Sequence, residues 1–294
     1  MSPIENDRFD DYSIDIYEEE DRDTDVELAK PEIEDIILQQ KVVTDRELKV
    51  RLEHLFFPWV TGRALLAMEK EGMVRRMGYV GRKSRTKRVP ESFFMSYGTE
   101  YDSAVGIIRK KRRVTKDINA ILTAHAPAGE HAEDLFEEAF VSLGFRIHGT
   151  GMSEFKGRKV KRREGKEPPN LDFIIEKDKV IYGVDIKNWI KYEYNTRSEV
   201  RFKVGLALQL RVVPFIVARY VDKETLYLDV VKNGGICYRY KTLLVPPSYE
   251  SLASEAVGVL GYPVLAVDML PKYKVQWIEK LHKDFLEKRK SRKG

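Results

Sequence analysis

Asp172, Asp185 and Lys187 are the side chains whose types and spacing point most directly to chemistry. They stand on two short apolar runs joined by a tight turn at residues 176–179, within Asn170-Leu-Asp-Phe-Ile-Ile-Glu-Lys-Asp-Lys-Val-Ile-Tyr-Gly-Val-Asp-Ile-Lys187. This pattern predicts a β-hairpin. Asp185 and Lys187, two residues apart on a strand, point to one face, and pairing about the turn brings Asp172 to within about one residue of Asp185. Charged groups on such strands must be solvated, paired or metal-bound, because burying them alone is prohibitive. Two hard oxygen ligands beside an ammonium are the parts of Mg2+-dependent phosphodiester hydrolysis.

The elements that must position these three follow from periodicity. Ahead of the hairpin, Ala132, Leu135, Phe136, Ala139, Phe140 and Leu143 recur at helical spacing, and Gly144 ends the helix. Glu133 borders that apolar stripe, with Glu130 one turn earlier on the same edge. Residues 145–147 predict the first strand. Beyond the hairpin, residues 199–210 predict a helix, 212–220 a buried strand and 226–231 another strand, before a turn at Asn233-Gly-Gly235. A strand at 262–269 and a helix at 275–288, with Trp277, Ile278, Leu281, Phe285 and Leu286 on one face, complete the chain. Helix, strand, strand, strand, helix, strand is the order of an α/β or α+β fold with a mixed sheet.

Charge is placed unevenly. Through Asp35 the chain carries fifteen acidic residues against three basic ones, a balance of −12, which leaves +17 on the remainder. A body that basic attracts polyanions, nucleic acid first, although a merely solvated surface is the plainer alternative. Residues 1–27 show no apolar period and are expected to be unfolded. A polar loop from 148 to 169 carries Lys156, Arg158, Lys159, Lys161, Arg162, Arg163 and Lys166 and enters the hairpin just before Asp172. It reads as a flexible loop or as a DNA clamp that orders on binding.

Residues 31–40 predict a first helix, with Ile33, Ile36 and Ile37 on one face. Thr44-Asp-Arg-Glu47 is a capping box opening a second, and a third begins near Pro58 and stops at Gly72. Two apolar runs then flank the turn Gly81-Arg-Lys-Ser-Arg-Thr-Lys-Arg88. Three helices and a hairpin with a cationic tip resemble a winged helix-turn-helix domain. By that resemblance Thr61, Arg63 and Lys70 face DNA from the third helix, and Arg82, Lys83, Arg85, Lys87 and Arg88 meet phosphates. The cationic stretch at residues 107–116 reads as a helical or linking segment, either a bare solvated connector or a phosphate-contacting brace. The expected division is an acidic tail (1–28), the winged helix (29–98), a basic linker (99–125), a core (126–245) and a C-terminal strand and helix with a basic tail (246–294).

Over about residues 126–220 the chain resembles the PD-(D/E)XK nuclease superfamily, with its restriction-endonuclease-like fold, nearest to archaeal Holliday-junction resolvases and Mrr-type enzymes. Gly129-Glu-His-Ala-Glu133 is similar to that family's glycine-x-x-alanine-glutamate opening, and Asp172, Asp185 and Lys187 fall at its two acidic positions and its lysine. Leu171 stands where the family has proline, with Pro168 and Pro169 slightly earlier. The resemblance implies Mg2+ or Mn2+ held by Asp172, Asp185 and the Ile186 carbonyl, with Glu133 completing the shell directly or through water. Lys187 would orient the attacking water or offset charge on the phosphate. Glu130 could take the place of Glu133, and Gln209 could help fix Lys187 or a phosphate. The implied activity is DNA endonucleolysis, with a homodimer expected because two strands need two sites. A structure-specific resolvase or repair nuclease within a larger complex, and a non-catalytic DNA-binding regulator with a degenerate nuclease fold, remain alternatives.

Composition excludes other classes. One cysteine, Cys237, cannot form an intrachain disulfide framework or a cysteine-rich zinc site. No apolar run approaches the ~20 residues needed to cross a bilayer, and the acidic N-terminus lacks a secretory pattern, so a soluble intracellular protein is expected. No Gly-x-x-x-x-Gly-Lys-Ser/Thr loop is present, so no nucleotide cofactor is expected.

Overall fold

A computed structural model of the chain describes residues 21–77, 92–122, 127–160, 169–190 and 194–291. Its N-terminal part comprises α1 (Asp21–Gln40), β1 (Val42–Thr44), α2 (Asp45–Leu52), α3 (Pro58–Lys70), β2 (Val74–Met77) and β3 (Phe93–Ser96). The three strands pair antiparallel in the order β1-β3-β2. Ala29, Ile33 and Ile37 of α1 pack on Leu48, Val60, Ala64, Leu65, Met68 and Phe94. Pro31 marked the helix start in the sequence because it lacks the amide an interior position uses. The apolar stripe instead extends back to Val26 and carries α1 through Pro31. Residues 21–27 are therefore helical, and only 1–20 of the expected acidic tail lie outside the described residues.

Half of the expected capping box forms. The Thr44 hydroxyl accepts a hydrogen bond from the Glu47 amide at 3.1 Å. The Glu47 side chain turns away from the cap and is fully buried, where the Lys111 ammonium donates to both its oxygens at 2.7 Å. Lys111 belongs to α4 (Tyr101–Ala120), the helical form of the expected basic segment. Its period shows how it packs: Ala104, Ile108, Lys111, Val114, Thr115 and Ile118 form one buried stripe beneath an exposed cationic face.

The larger part comprises α5 (Pro127–Ser142), β4 (Arg146–Met152), β5 (Glu154–Phe155), β6 (Arg158–Lys159), β7 (Leu171–Lys177), β8 (Val180–Lys187), α6 (Tyr194–Gln209), β9 (Val213–Ala218) and β10 (Ile236–Arg239). It continues through β11 (Leu243–Val245), α7 (Glu250–Leu260), β12 (Val264–Ala266) and α8 (Lys272–Ser291). A mixed sheet runs β10-β9-β8-β7-β4, antiparallel from β4 to β8 and parallel from β8 to β10. Phe136 and Phe140 of α5 and Ile278 of α8 cover one face, against Phe173, Tyr182, Val184 and Phe215. Val200, Val204, Leu206 and Ala207 of α6 cover the other. The class is mixed α and β, as the order of elements predicted.

Two expectations fail here, and two elements were not anticipated. Residues 226–231 are not a strand: Thr225–Val230 forms a π-helical turn, started by Asp222, which accepts from the Thr225 amide and hydroxyl at 2.8 and 2.5 Å. The sheet edge is supplied by β10. α7, and β11 paired in parallel with β12, were not anticipated. The expected loop from 148 instead starts within β4 and continues as the β5–β6 hairpin, turning at Lys156 and Gly157 with φ of 46° and 76°. Among the described residues no helix is long and apolar enough to cross a membrane.

The two parts are joined by buried contacts. Val50 of α2 packs with Val114 and Ile118 of α4 and Ala253, Ala256 and Leu260 of α7. The guanidinium of Arg219, fully buried just past β9, grips Glu53 after α2 through both carboxylate oxygens, and donates to the carbonyls of Trp189 at 2.6 Å and Ile190 at 2.7 Å. Glu53→Ala strands that guanidinium, and urea unfolding should register a loss of about 3–5 kcal/mol. Glu53→Ala combined with Arg219→Met should recover most of it, and equal losses in single and double variants contradict the pairing.

Candidate active site

The β7–β8 hairpin turns on Asp178 and Lys179, both left-handed with φ of 49° and 61°, the mirror-type turn that suits the twist of paired strands. The ladder runs from Lys177 opposite Val180 to Phe173 opposite Val184. One step further along that register, Asp172 stands opposite Asp185. There the Asp172 carboxylate accepts the Ile186 amide at 2.6 Å. Asp185 is completely buried, paired on its other side with Ile216 of β9. Gly183 makes room two residues earlier: a Cβ there would sit 2.6 Å from Leu171 and 2.7 Å from Val212.

Two ammonium groups meet Asp185. Lys187 lies 3.1 Å from its Oδ2 and 3.1 Å from Oε1 of Glu199 on α6. Lys203, also on α6, lies 2.6 Å from Oδ1 and donates to the Asn170 carbonyl at 2.8 Å. Neither ammonium is aligned to hydrogen-bond Asp185, and both buried oxygens lack a hydrogen bond. These contacts are Coulombic.

Glu133 approaches from α5, on the opposite layer. Burial, then the charge of Asp172, push its carboxyl up to about 7. Asp172 is pushed up to about 6 by burial and then by Asp185, against the opposing pull of Lys187 and Lys203. Burial works against the charge on Lys187, but Asp185, Asp172 and Glu199 outweigh it and hold its pKa above the usual lysine range. Three acids and two lysines thus share one field. Asn188 fixes the strand beyond Lys187: its amide donates to the carbonyls of Ala128 at 2.8 Å and Leu244 at 2.6 Å, and its oxygen accepts from Tyr240 and the Leu244 amide at 2.9 and 3.0 Å. The Ala128 bond ties the start of α5, and so Glu133, to the same strand.

The structure brings Glu133, Asp172, Asp185 and Lys187 into this field, with Ile186 engaged through its amide. It leaves out two expected helpers. Glu130 is exposed on the first turn of α5. Gln209 is exposed at the end of α6, six residues or about 9 Å along the axis from Lys203, while Lys187 takes Glu199 as partner. Lys203 and Glu199 were missed, although their spacing of four places both on one helical face.

Whether these residues suit a metal turns on Asp185. Among the described residues no three His, Cys, Asp or Glu side chains gather closely enough to hold an ion, so the expected three-carboxylate set is not assembled. What is present is a facing pair of hard carboxylates, one of them buried with neither oxygen hydrogen-bonded. That donor chemistry fits a hard divalent cation whose remaining ligands come from water or substrate. Glu133 enters as a coupled neighbour.

The expected DNA contacts divide. Thr61 is fully buried, because in α3 it shares the core stripe of Val60, Ala64, Leu65 and Met68, so it cannot face a partner. Arg63 and Lys70 are exposed, Arg63 lying 5.8 Å from the Trp59 ring centroid. Lys156 and Lys159 are exposed and Arg158 is half-buried on the β5–β6 hairpin, where Lys159 pairs with Glu154 at 2.8 Å. Arg82, Lys83, Arg85, Lys87, Arg88, Lys161, Arg162, Arg163 and Lys166 lie outside the described residues.

No family model, no curated protein and no solved structure matches the chain.

Glu133 and Asp172 are easier to protonate folded than unfolded, where they titrate near 4.5 and 3.8. Their stabilising contribution is complete below those values and is lost as pH rises through about 6 and then about 7. With chelator present, the unfolding temperature should therefore fall from about pH 4 to about pH 8. Glu133→Gln with Asp172→Asn should flatten that fall, and an unaltered slope would show that other groups cause it.

Proposed function

We propose that this protein is a divalent-metal-dependent deoxyribonuclease of the PD-(D/E)XK type, hydrolysing DNA phosphodiester bonds under the guidance of an N-terminal winged-helix unit. The observation that carries this reading is the pair Asp172 and Asp185 beside Lys187 at the end of one hairpin, with Glu133 of α5 coupled to them by charge and with buried Asp185 oxygens that lack hydrogen bonds. Asp172 and Asp185 would hold the cation, which when bound polarises a phosphate and acidifies water.

The protein's own groups divide the remaining work. Lys187 keeps its proton at neutral pH, since its carboxylate neighbours hold its pKa high. It is therefore a donor and a counter-charge, suited to orienting water and to stabilising negative charge on the phosphate, and unsuited to act as a base. Glu133, pushed up to about 7, is poised to take the proton from the attacking water. Asn188, through Ala128 and Leu244, keeps these groups in register. In the N-terminal part, the order α1-β1-α2-α3-β2-β3, with the cationic segment between β2 and β3, supports the winged-helix reading. Arg63 and Lys70 on the exposed side of α3 are its DNA-facing residues.

Supercoiled, linear, single-stranded and branched DNA should be incubated with Mg2+ or Mn2+, beside an Asp185→Ala control. We expect cleavage of at least one form, reduced by at least about 10²–10³-fold in the control. Absence of cleavage on every form, or equal cleavage by the variant, removes the nuclease reading.

A further inference from the structure

We propose that Lys203 is the resident counter-ion of the metal-free site, neutralising Asp185 until a divalent cation takes over that role and frees its ammonium. This rests on the nuclease reading and deepens it, because it describes how the same site is held before loading.

The argument begins with the asymmetry between the two lysines. Both reach Asp185, a completely buried carboxylate that could not stay charged alone. Lys187 has a second carboxylate, Glu199, at 3.1 Å. Lys203 holds Asp185 at 2.6 Å, and its other contact is the neutral carbonyl of Asn170. If another cation satisfies Asp185, Lys187 keeps a carboxylate in direct contact, whereas Lys203 keeps a direct contact only to a carbonyl, with Asp172 and Glu133 acting on it from further off. Lys203 is therefore the one that yields.

Lys203 holds Asp185 by charge more than by a directed bond. Its ammonium is close to Oδ1, but that oxygen counts no hydrogen bond, so attraction is by charge without directional alignment. A dication beside the same carboxylate repels the ammonium with twice the charge by which the carboxylate holds it. Lys203 is rooted in α6 by a flexible stem, and its side chain retains a little exposure, so it has a way out. Asn170, its second contact, lies at the end of the cationic segment that runs into β7. A released ammonium near Asn170 is free to donate to a phosphate oxygen.

The device also accounts for two facing aspartates in a fold that must be stable before metal arrives. Lys203 lowers the cost of enclosing Asp185 beside Asp172, and in return it competes with the metal.

Two measurements test this. Wild-type protein should be acetylated briefly with acetic anhydride, in chelator or in Mg2+ at matched ionic strength, and Lys203 modification read by peptide mass spectrometry. We expect Mg2+ to raise Lys203 acetylation several-fold while Lys187 stays protected; unchanged or reduced Lys203 modification overturns the proposal. Mn2+ affinity should then be measured by calorimetry for wild type, Lys203→Met, Lys203→Gln and Lys203→Arg. The Met and Gln variants should bind about tenfold tighter or more, matching about 1.4 kcal/mol of removed competition, and the Arg variant should resemble wild type. Variants that fold only with Mn2+ present support the proposal, and equal or weaker binding overturns it. If the neutral variants do not fold at all, the acetylation result decides. Wild type that cleaves DNA with Mg2+-insensitive Lys203 defeats this inference alone, whereas absence of Mn2+ binding in every form defeats the nuclease reading with it.

Discussion

Two aspartates set opposite each other at the open end of an antiparallel ladder, one of them wholly enclosed, are the constraint from which the rest of the site follows. The charge of Asp185, after burial, raises the protonation of Asp172, and buried carboxylates so placed need compensation. Asp172 does so partly by accepting the Ile186 amide, a bond possible because the strand ladder ends one residue earlier. Asp185 relies on Lys187 and Lys203, which arrive from different elements and leave its oxygens without aligned donors. Gly183 gives the strand the room it needs against Leu171 and Val212, and Asn188 pins its far end. The arrangement is electrostatically costly by construction. Costs of that kind are ordinarily kept where charge must be handled.

The N-terminal part is continuous with this framework. Arg219 follows the strand beside β8, and its own amide donates to the Lys187 carbonyl at 2.9 Å. Its guanidinium reaches across to Glu53, and the buried Glu47–Lys111 pair fastens α2 to α4. The segment bearing Lys187 is thus clasped to the helices that we propose read DNA. Buried pairs of this sort add little net stability against apolar replacements, but they tolerate few alternative arrangements. Their consequence here is positional: the two parts hold one relative placement, and whatever α3 engages is set at a defined distance from the carboxylates.

Local signals carried the hairpin and its three charges. Asp-x-Lys on a β-branched run and a two-residue turn of left-handed residues are encoded within 18 residues, so their convergence needed no tertiary information. Glu133 could be placed because its helix has an unbroken apolar stripe. Lys203 and Glu199 could not, since which face of α6 meets β8 is decided by the sheet. The same limit explains Thr61, whose polarity suggested exposure although its helical neighbours placed it in the core. In α4 the sequence allowed a helix, but which of its cations is buried, Lys111, is decided by the packing of α2. Thr225–Val230 misled by composition: apolar, β-branched residues there coil around an Asp222 cap because β10 already completes the sheet.

The central claim, that the facing carboxylates of Asp172 and Asp185 form a seat for a divalent ion, has a direct test. Crystals grown or soaked in Mn2+ should be measured on the manganese absorption edge, with Asp185→Asn crystals treated alike. The account predicts an anomalous peak between the two aspartates in the wild type and none there in the variant. Manganese bound elsewhere, with density at this hairpin end free of anomalous signal, would contradict it.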